Sequence, residues 1–157
     1  MTGVQTCALP IFAFIVSIPV AGRLADSRGR KRTLIAVSAV MIAFGFTFSW
    51  LLRPDTATEG TVLVFLTVGM FIMGLIFGPM SAVLPELFPT NVRYTGSGIS
   101  YNVASILGAA IAPFVATALV KSYGVGAVGI YLIVVSILSL IAILLMKETK
   151  HFDMSDI

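Results

Sequence analysis

The sequence contains very little charge and few residues of the types that form catalytic or metal sites. Of its 157 residues, 11% are Asp, Glu, Lys or Arg, less than half the roughly 25% that is usual in soluble domains. It has one cysteine, Cys7, and one histidine, His151. A disulfide within the chain and a metal site built from several Cys or His ligands are therefore both excluded. The same scarcity argues against an enzyme, so we predict no catalytic residue, metal or cofactor site.

Most of the sequence consists of long apolar runs. Hydrophobic residues make up 58% of the chain, and the mean hydropathy is +1.04. Each charge-free run is about as long as the 20 residues that cross a ~30 Å hydrocarbon core as a helix. We predict an all-α, polytopic membrane bundle. Its helices are expected near 12–25, 33–52, 61–84, 95–120 and 125–146, followed by a tail over 147–157.

The first apolar segment differs from the others. It contains Pro10 and Pro19 and starts with the polar residues 1–6, so we expect a segment that is cut short. The preceding MTGVQTCALPI, residues 1–11, resembles a translated short-read sequencing adapter, which would make Phe12 the first native residue. These residues have neither a basic start nor a small-residue cleavage site, so they do not predict a signal peptide.

Positive charge is concentrated between the first two apolar segments. The stretch GRLADSRGRKR, residues 22–32, holds five of the ten Lys and Arg residues. Because short loops rich in Lys and Arg stay on the cytoplasmic side, this loop predicts the orientation of every helix. The cytoplasmic side then carries that loop, Arg93, Lys147 and Lys150, against Arg53 and Lys121 outside. The C-terminus is expected in the cytoplasm, and the net charge of +3 indicates contact with lipid rather than nucleic acid.

Two local patterns predict helix ends. Thr56 and Glu59 have the spacing of a capping box at the start of the third helix. Gly124 stands where the end of a helix would need a positive φ.

The basic stretch resembles the conserved loop motif of the major facilitator superfamily, usually written GxLaDrxGrkr. That motif lies between the second and third helices and again between the eighth and ninth. A second block, PELFPTNVRYTGSGISYNVASILGAAIAPFVATAL over residues 85–119, is similar to the loop between helices ten and eleven, and to helix eleven, of the metabolite:proton symporter branch. The resemblance covers residues 12–150. It implies a partial C-terminal half of a 12-helix fold, from late helix eight to helix twelve.

For residues 22–32 the resemblance implies an electrostatic latch on the cytoplasmic face. Gly22 is expected to let helix backbones approach, and Gly29 to adopt a positive φ. Asp26 would meet the start of helix five, which this chain does not contain, because a carboxylate is stabilised at a helix N-terminus. We call the following residues the latch motif: Gly22, Arg23, Asp26, Gly29, Arg30, Lys31 and Arg32.

Three further groups have both a functional and a structural interpretation. Glu86 and Arg93 could form a second cytoplasmic clamp on residues 22–32, or be solvated loop charges that serve topology. Tyr101, Asn102 and Ser105 could line a central cavity, or make interhelical hydrogen bonds. Gly78, Pro79 and Pro113 could form a hinge, or permit close helix packing.

The resemblance implies transport of a small organic acid or zwitterionic metabolite across the bacterial inner membrane by alternating access. The partners it implies are the small-molecule substrate, protons, lipid and the missing N-terminal helices of the same protein. The complete spans contain no ionisable residue at membrane depth, so the carboxylate for proton symport is expected upstream and the fragment alone is expected to be inactive. The alternatives are a sugar or organic-cation porter of the same superfamily, and a small integral membrane enzyme or receptor subunit.

Overall fold

The computed structural model describes residues 3–52 and 58–146, and these form helices joined by short connections. Within these residues, five stretches are long and apolar enough to cross a membrane, which confirms the predicted all-α, polytopic class. The helices are α1 (Gly3–Arg28), α2 (Arg30–Leu51), α3 (Glu59–Glu86), α4 (Arg93–Ser105), α5 (Ile111–Tyr123) and α6 (Val125–Leu145). A π-helical segment, Ile106–Ala110, joins α4 to α5, so these three elements form one rod.

The first helix is longer than the segment predicted near 12–25. It begins at Gly3, and its part Ala8–Arg28 contains a window of 18 residues with a mean hydropathy of 1.9. The predicted bounds, 12–25, therefore lie inside α1 at both ends. Pro10 and Pro19 both lie inside α1 without ending it. The helix also runs past the apolar segment into the basic stretch, because long charged side chains near a helix end can reach water.

The start of α3 differs in detail from the prediction. The N-cap is Thr58, whose hydroxyl oxygen accepts a hydrogen bond of 3.3 Å from the backbone N–H of Thr61. Thr56, which was predicted to begin the capping box, lies outside the described residues. The cap stands directly before Glu59, where its oxygen can reach an unpaired amide of the first turn.

Two pairs of helices form the bundle. The helix α1 packs along α3 and α2 packs along α6, while contacts of α2 with α1 and α3 join the pairs. The rod of α4 and α5 lies at the edge, where α4 contacts α3 and α5 contacts α6. None of its residues is buried among the described residues. The turn between α1 and α2 and the connection between α3 and α4 lie at the same end of the two packed pairs.

Candidate functional site

The turn between α1 and α2 consists of a single residue, Gly29. It has φ 101° and ψ 140°, and its N–H donates to the carbonyl of Ala25 at 2.9 Å. Its own carbonyl accepts from the hydroxyl of Thr33 at 2.9 Å. The positive φ expected at Gly29 is present. A side chain would be strained in this conformation, so glycine allows the two helices to meet with no further linker.

This turn places the charged residues of the stretch in two environments. Arg23, Asp26, Arg28 and Arg32 are exposed, whereas Arg30 and Lys31 are half-buried. We call the end of the bundle that holds residues 22–32 and 85–93 the latch end. Half-buried cations need acceptors, because loss of water disfavours an unpaired charge.

Arg30 finds its acceptor on α3. Its Nη1 donates to Oε1 of Glu86, and the two side chains are 23% and 17% exposed. Glu86 is the last residue of α3, where the negative end of the helix dipole disfavours a carboxylate and the Arg30 cation offsets that effect. Burial leaves this pair less screened by salt than a surface pair. It joins the ends of two helices 56 residues apart in sequence.

The second carboxylate oxygen of Glu86 remains without a protein donor. Oε2 is buried and has no hydrogen-bond partner among the described residues. A carboxylate can accept several hydrogen bonds. The Arg30 pair therefore leaves acceptor capacity on Glu86 at the latch end.

Arg93 lies on the same connection as Glu86 but contacts different groups. Its Nε donates to the Phe88 carbonyl at 3.4 Å, and its Nη2 to the hydroxyl of Thr90 at 3.5 Å. These bonds hold the connection between α3 and α4. The structure thus brings Glu86, one member of the predicted clamp, to residues 22–32, while these bonds of Arg93 stay within its own connection.

The structure also describes the surroundings of Gly22 and Asp26, two further residues of the latch motif. A Cβ placed on Gly22 would meet no atom within 4 Å, so the lack of a side chain at Gly22 is not what lets α1 and α3 approach. Gly78 of α3 permits that approach: a Cβ there would lie 2.7 Å from the carbonyl oxygen of Ile18 and 3.4 Å from the backbone nitrogen of Gly22. Asp26 is exposed, and residues 3–52 and 58–146 provide it with no hydrogen bond or ion pair.

Lys31 has partners that the sequence did not indicate. Its Nζ donates to the carbonyl oxygens of Leu144 at 2.8 Å and Met146 at 2.5 Å, at the end of α6. Backbone carbonyls occur on every residue, so no sequence motif marks them as acceptors. Lys31 belongs to the latch motif because residues 22–32 resemble the family's loop motif.

The polar residues of α4 are mostly exposed or bonded within their own helix. Tyr101 is 52% exposed, and the side-chain amide of Asn102 donates to the Gly98 carbonyl of its own helix at 2.8 Å. Ser105 is half-buried. An open, mostly apolar cavity lies between α2 and α3, beside Phe44, Thr47 and Phe65. None of the three predicted residues lines it.

The three predicted hinge residues lie in different settings. Gly78 is a site of close packing, and Pro79 next to it is buried while α3 continues through both. Pro113 is exposed in the first turn of α5, directly after the π-helical segment. Of these three residues, Pro113 is the one that lies near backbone that departs from α-helical geometry.

The sequence matches the model of the Major Facilitator Superfamily over residues 2–155. It is 50% identical over 144 residues to the inner membrane metabolite transport protein YhjE of Escherichia coli, a match that covers 91% of this chain and 32% of the relative. A putative metabolite transport protein of Haemophilus influenzae is 42% identical over 156 residues, which is 99% of this chain and 35% of the relative.

A more distant relative has a substrate class in its name. The glycine betaine/proline/ectoine/pipecolic acid transporter OusA of Dickeya dadantii is 33% identical over 134 residues, covering 85% of this chain and 26% of the relative. No solved structure matches the chain. The chain spans about a third of the length of the Escherichia coli and Haemophilus influenzae relatives. With a family match over almost every residue and a helical bundle that contains the family's loop motif at its latch end, the chain belongs to the Major Facilitator Superfamily.

Proposed function

We propose that this chain is part of a transporter that moves a small metabolite across the bacterial inner membrane by alternating access. The observation that carries the proposal is the Arg30–Glu86 ion pair, which joins the basic stretch to the end of α3. A half-buried pair between two helix ends can hold one arrangement of the helices when formed and release it when broken. Such a bistable contact is what an alternating-access cycle requires.

The proposed substrate is a small organic acid or a zwitterion. This rests on the relatives, which are named as metabolite transport proteins and, in one case, as a betaine and proline transporter. Coupling to protons is a further part of the proposal. Ionisable residues of the described helices lie at their ends, so the carboxylate that would take up the proton belongs to the part of the transporter upstream of these residues.

We propose that the latch end and the C-terminus face the cytoplasm. The support is the distribution of Lys and Arg, which are concentrated in residues 22–32 and sparse in the loops at the opposite end. Short loops with many Lys and Arg residues are retained on the cytoplasmic side.

Uptake by the complete transporter tests the function. The gene with its upstream helices is expressed, and inner-membrane vesicles receive labelled shikimate, 2-oxoglutarate, citrate or betaine with a proton gradient imposed. We expect accumulation of one of these compounds, and its loss when an ionophore collapses the gradient. Absence of uptake for all four from vesicles that contain the protein would contradict the proposed substrate class.

The role of Asp26 is tested by Asp26→Asn in the complete transporter. We propose that this exposed carboxylate binds the N-terminus of a helix in the upstream half, where a carboxylate contributes about 0.3 to 1 kcal/mol. Removing its charge should lower uptake about two- to fivefold with membrane insertion unchanged. Glu59→Gln is the matched control, because this exposed acid starts α3 far from the latch end. Equal uptake by the Asp26 variant and the wild type would refute the latch role.

A further inference from the structure

The rod of α4 and α5 changes its backbone geometry at its middle. The rod extends over Arg93–Tyr123, and the π-helical segment Ile106–Ala110 is centred on Gly108. Gly108 is fifteen residues from each end of the rod, or ~22 Å at the rise of a helix. In a rod that crosses the bilayer, this segment therefore lies near the middle of the membrane.

A backbone carbonyl of the π-helical segment lacks its usual partner. Residue 113 is proline, which has no N–H for the carbonyl oxygen of Ala109. Lipid offers no hydrogen bonds, so irregular backbone at membrane depth occurs where it is buried in protein or lines a water-filled cavity. None of the described residues of the rod is buried. In the complete transporter this segment therefore faces the other half or the water-filled pathway between the halves.

The two sides of α4 before this segment differ in polarity. Tyr101 and Ser105 are four residues apart and so lie on the same side of the helix. Val103 and Leu107 lie on the other side and are exposed. Polar residues within membrane spans generally face the interior of a bundle or a water-filled cavity, whereas apolar residues can contact lipid. The side with Tyr101 and Ser105 is therefore the one that faces the pathway.

The groups on the polar side are mainly hydrogen-bond acceptors. The side-chain amide nitrogen of Asn102 donates to the Gly98 carbonyl at 2.8 Å, which leaves its Oδ1 able to accept. The Ser105 hydroxyl makes no hydrogen bond within residues 3–52 and 58–146. The carbonyl of Ala109 adds an acceptor about one turn further along the rod.

We propose that the Ser105 hydroxyl, Oδ1 of Asn102 and the Ala109 carbonyl form a substrate subsite in the middle of the membrane. The subsite binds a hydroxyl or ammonium group of the transported metabolite. The carboxylate of the metabolite binds elsewhere, because residues 94–120 contain no Lys or Arg to pair with it.

This inference rests on the proposed transport function and narrows its substrate class. Shikimate and citrate carry a hydroxyl group, and proline carries an ammonium group. Neither 2-oxoglutarate nor betaine has a hydroxyl or N–H donor. The transported compound is therefore expected among the first three.

Reaction with a membrane-impermeant maleimide tests which side of α4 faces water. The complete transporter is freed of its other cysteines, including Cys7, and studied in inside-out inner-membrane vesicles. We expect Ser105→Cys to react about tenfold faster than Val103→Cys, because a thiol in lipid does not form the reactive thiolate. The transported compound at saturating concentration should slow the reaction of Ser105→Cys. Val103→Cys is the matched control, since it lies only two residues away but on the other side.

Uptake of shikimate, citrate, proline, 2-oxoglutarate and betaine tests the ligand group. We expect one of the first three to accumulate. Ser105→Ala should raise the KM for that compound about two- to tenfold, the effect of losing one hydrogen bond, with the amount of protein in the membrane unchanged. Ser139→Ala is the matched control and should leave the KM unchanged, because this exposed hydroxyl of α6 donates to the Val135 carbonyl of its own helix at 3.0 Å.

Three results would overturn the proposal. They are equal labelling rates of Ser105→Cys and Val103→Cys, accumulation confined to 2-oxoglutarate or betaine, and an unchanged KM in Ser105→Ala. Failure of the proposed function is a separate result. None of the five compounds would then accumulate, while the labelling rates still show which side of α4 faces water.

Discussion

Gly74 determines how closely α1 and α3 can pack. The residue is buried, and a Cβ placed on it would lie 2.7 Å from the carbonyl oxygen of Phe14 and closer still to the hydroxyl of Ser17. That hydroxyl donates to the same Phe14 carbonyl at 2.7 Å. A larger residue would have to move the backbone of α1, because turning the Ser17 side chain frees only part of the space. The absence of a methyl group thus permits a close contact between the two helices.

We expect Gly74→Ala to destabilise the protein by about 1 to 3 kcal/mol, the usual cost of an added group in a packed interior. The free energy of unfolding is measured by titrating SDS into mixed micelles of the complete transporter. Gly60→Ala is the matched control on the same helix. A Cβ there meets no atom within 4 Å, and alanine favours helix by up to about 1 kcal/mol over glycine, so this variant should be as stable as the wild type or more so.

A second substitution shows how much of the lost stability comes from the Ser17 hydroxyl and how much from the Phe14 carbonyl. Ser17→Gly in the Gly74→Ala background removes the hydroxyl but leaves the Phe14 carbonyl in place. Part of the lost stability should return. Equal stability of Gly74→Ala and the wild type would show that α1 and α3 are not packed as closely as the structure has them.

Among the elements, the rod of α4 and α5 is the one with irregular backbone. Its π-helical segment, Ile106–Ala110, precedes Pro113, and the segment contains Gly108, Ala109 and Ala110. Proline has no N–H for the carbonyl four residues earlier, here that of Ala109, and its ring crowds that carbonyl. Pro19 and Pro79 lie inside helices that remain α-helical. Pro113 differs from them in standing on a rod with no buried residue among those described, so little packing opposes a local widening.

We therefore predict that Pro113→Ala converts the π-helical segment to α-helix. Alanine restores an N–H donor for Ala109, in a position where proline costs about 3 kcal/mol. Amide hydrogen exchange over residues 106–113 should slow in the complete transporter. Pro19→Ala, at an exposed position of α1, is the control and should not change exchange in this segment. Faster exchange in Pro113→Ala would contradict this origin of the π-helical segment.

Over the whole molecule, the described chain consists of two packed helix pairs and one rod at their edge. It spans 32% of the length of the Escherichia coli relative and 35% of the Haemophilus influenzae relative. The rod is 31 residues long and none of its described residues is buried. We propose that the remaining helices of the transporter complete the substrate pathway, since alternating access needs two halves that move relative to each other.

Residues 1–157 expressed alone should therefore give no accumulation of substrate in vesicles. The same vesicles with the complete transporter should accumulate it, which controls for expression and for the gradient. Proton-dependent uptake by the 157-residue chain would show that it needs no further helices.

The orientation of the molecule gives a separate prediction. A fluorescent protein fused after Ile157 should fold and emit, and alkaline phosphatase at the same place should be inactive, because we place this end in the cytoplasm. Phosphatase fused after Leu52, in the loop at the opposite end, should be active and is the control. The reverse pattern would contradict the assigned sidedness.

Composition and local pattern by themselves determined the class of protein, the five helices and the turn at Gly29. These depend on nearby residues: an apolar run long enough to cross the bilayer is helical in any arrangement, and a tight turn with positive φ favours glycine. Only the tertiary structure decided that Arg30 meets Glu86, that Lys31 meets the end of α6, and that the missing side chain of Gly78, not that of Gly22, lets α1 and α3 approach. Those contacts join residues far apart in sequence, and backbone acceptors look the same at every position, so only the packing of the helices selects among them.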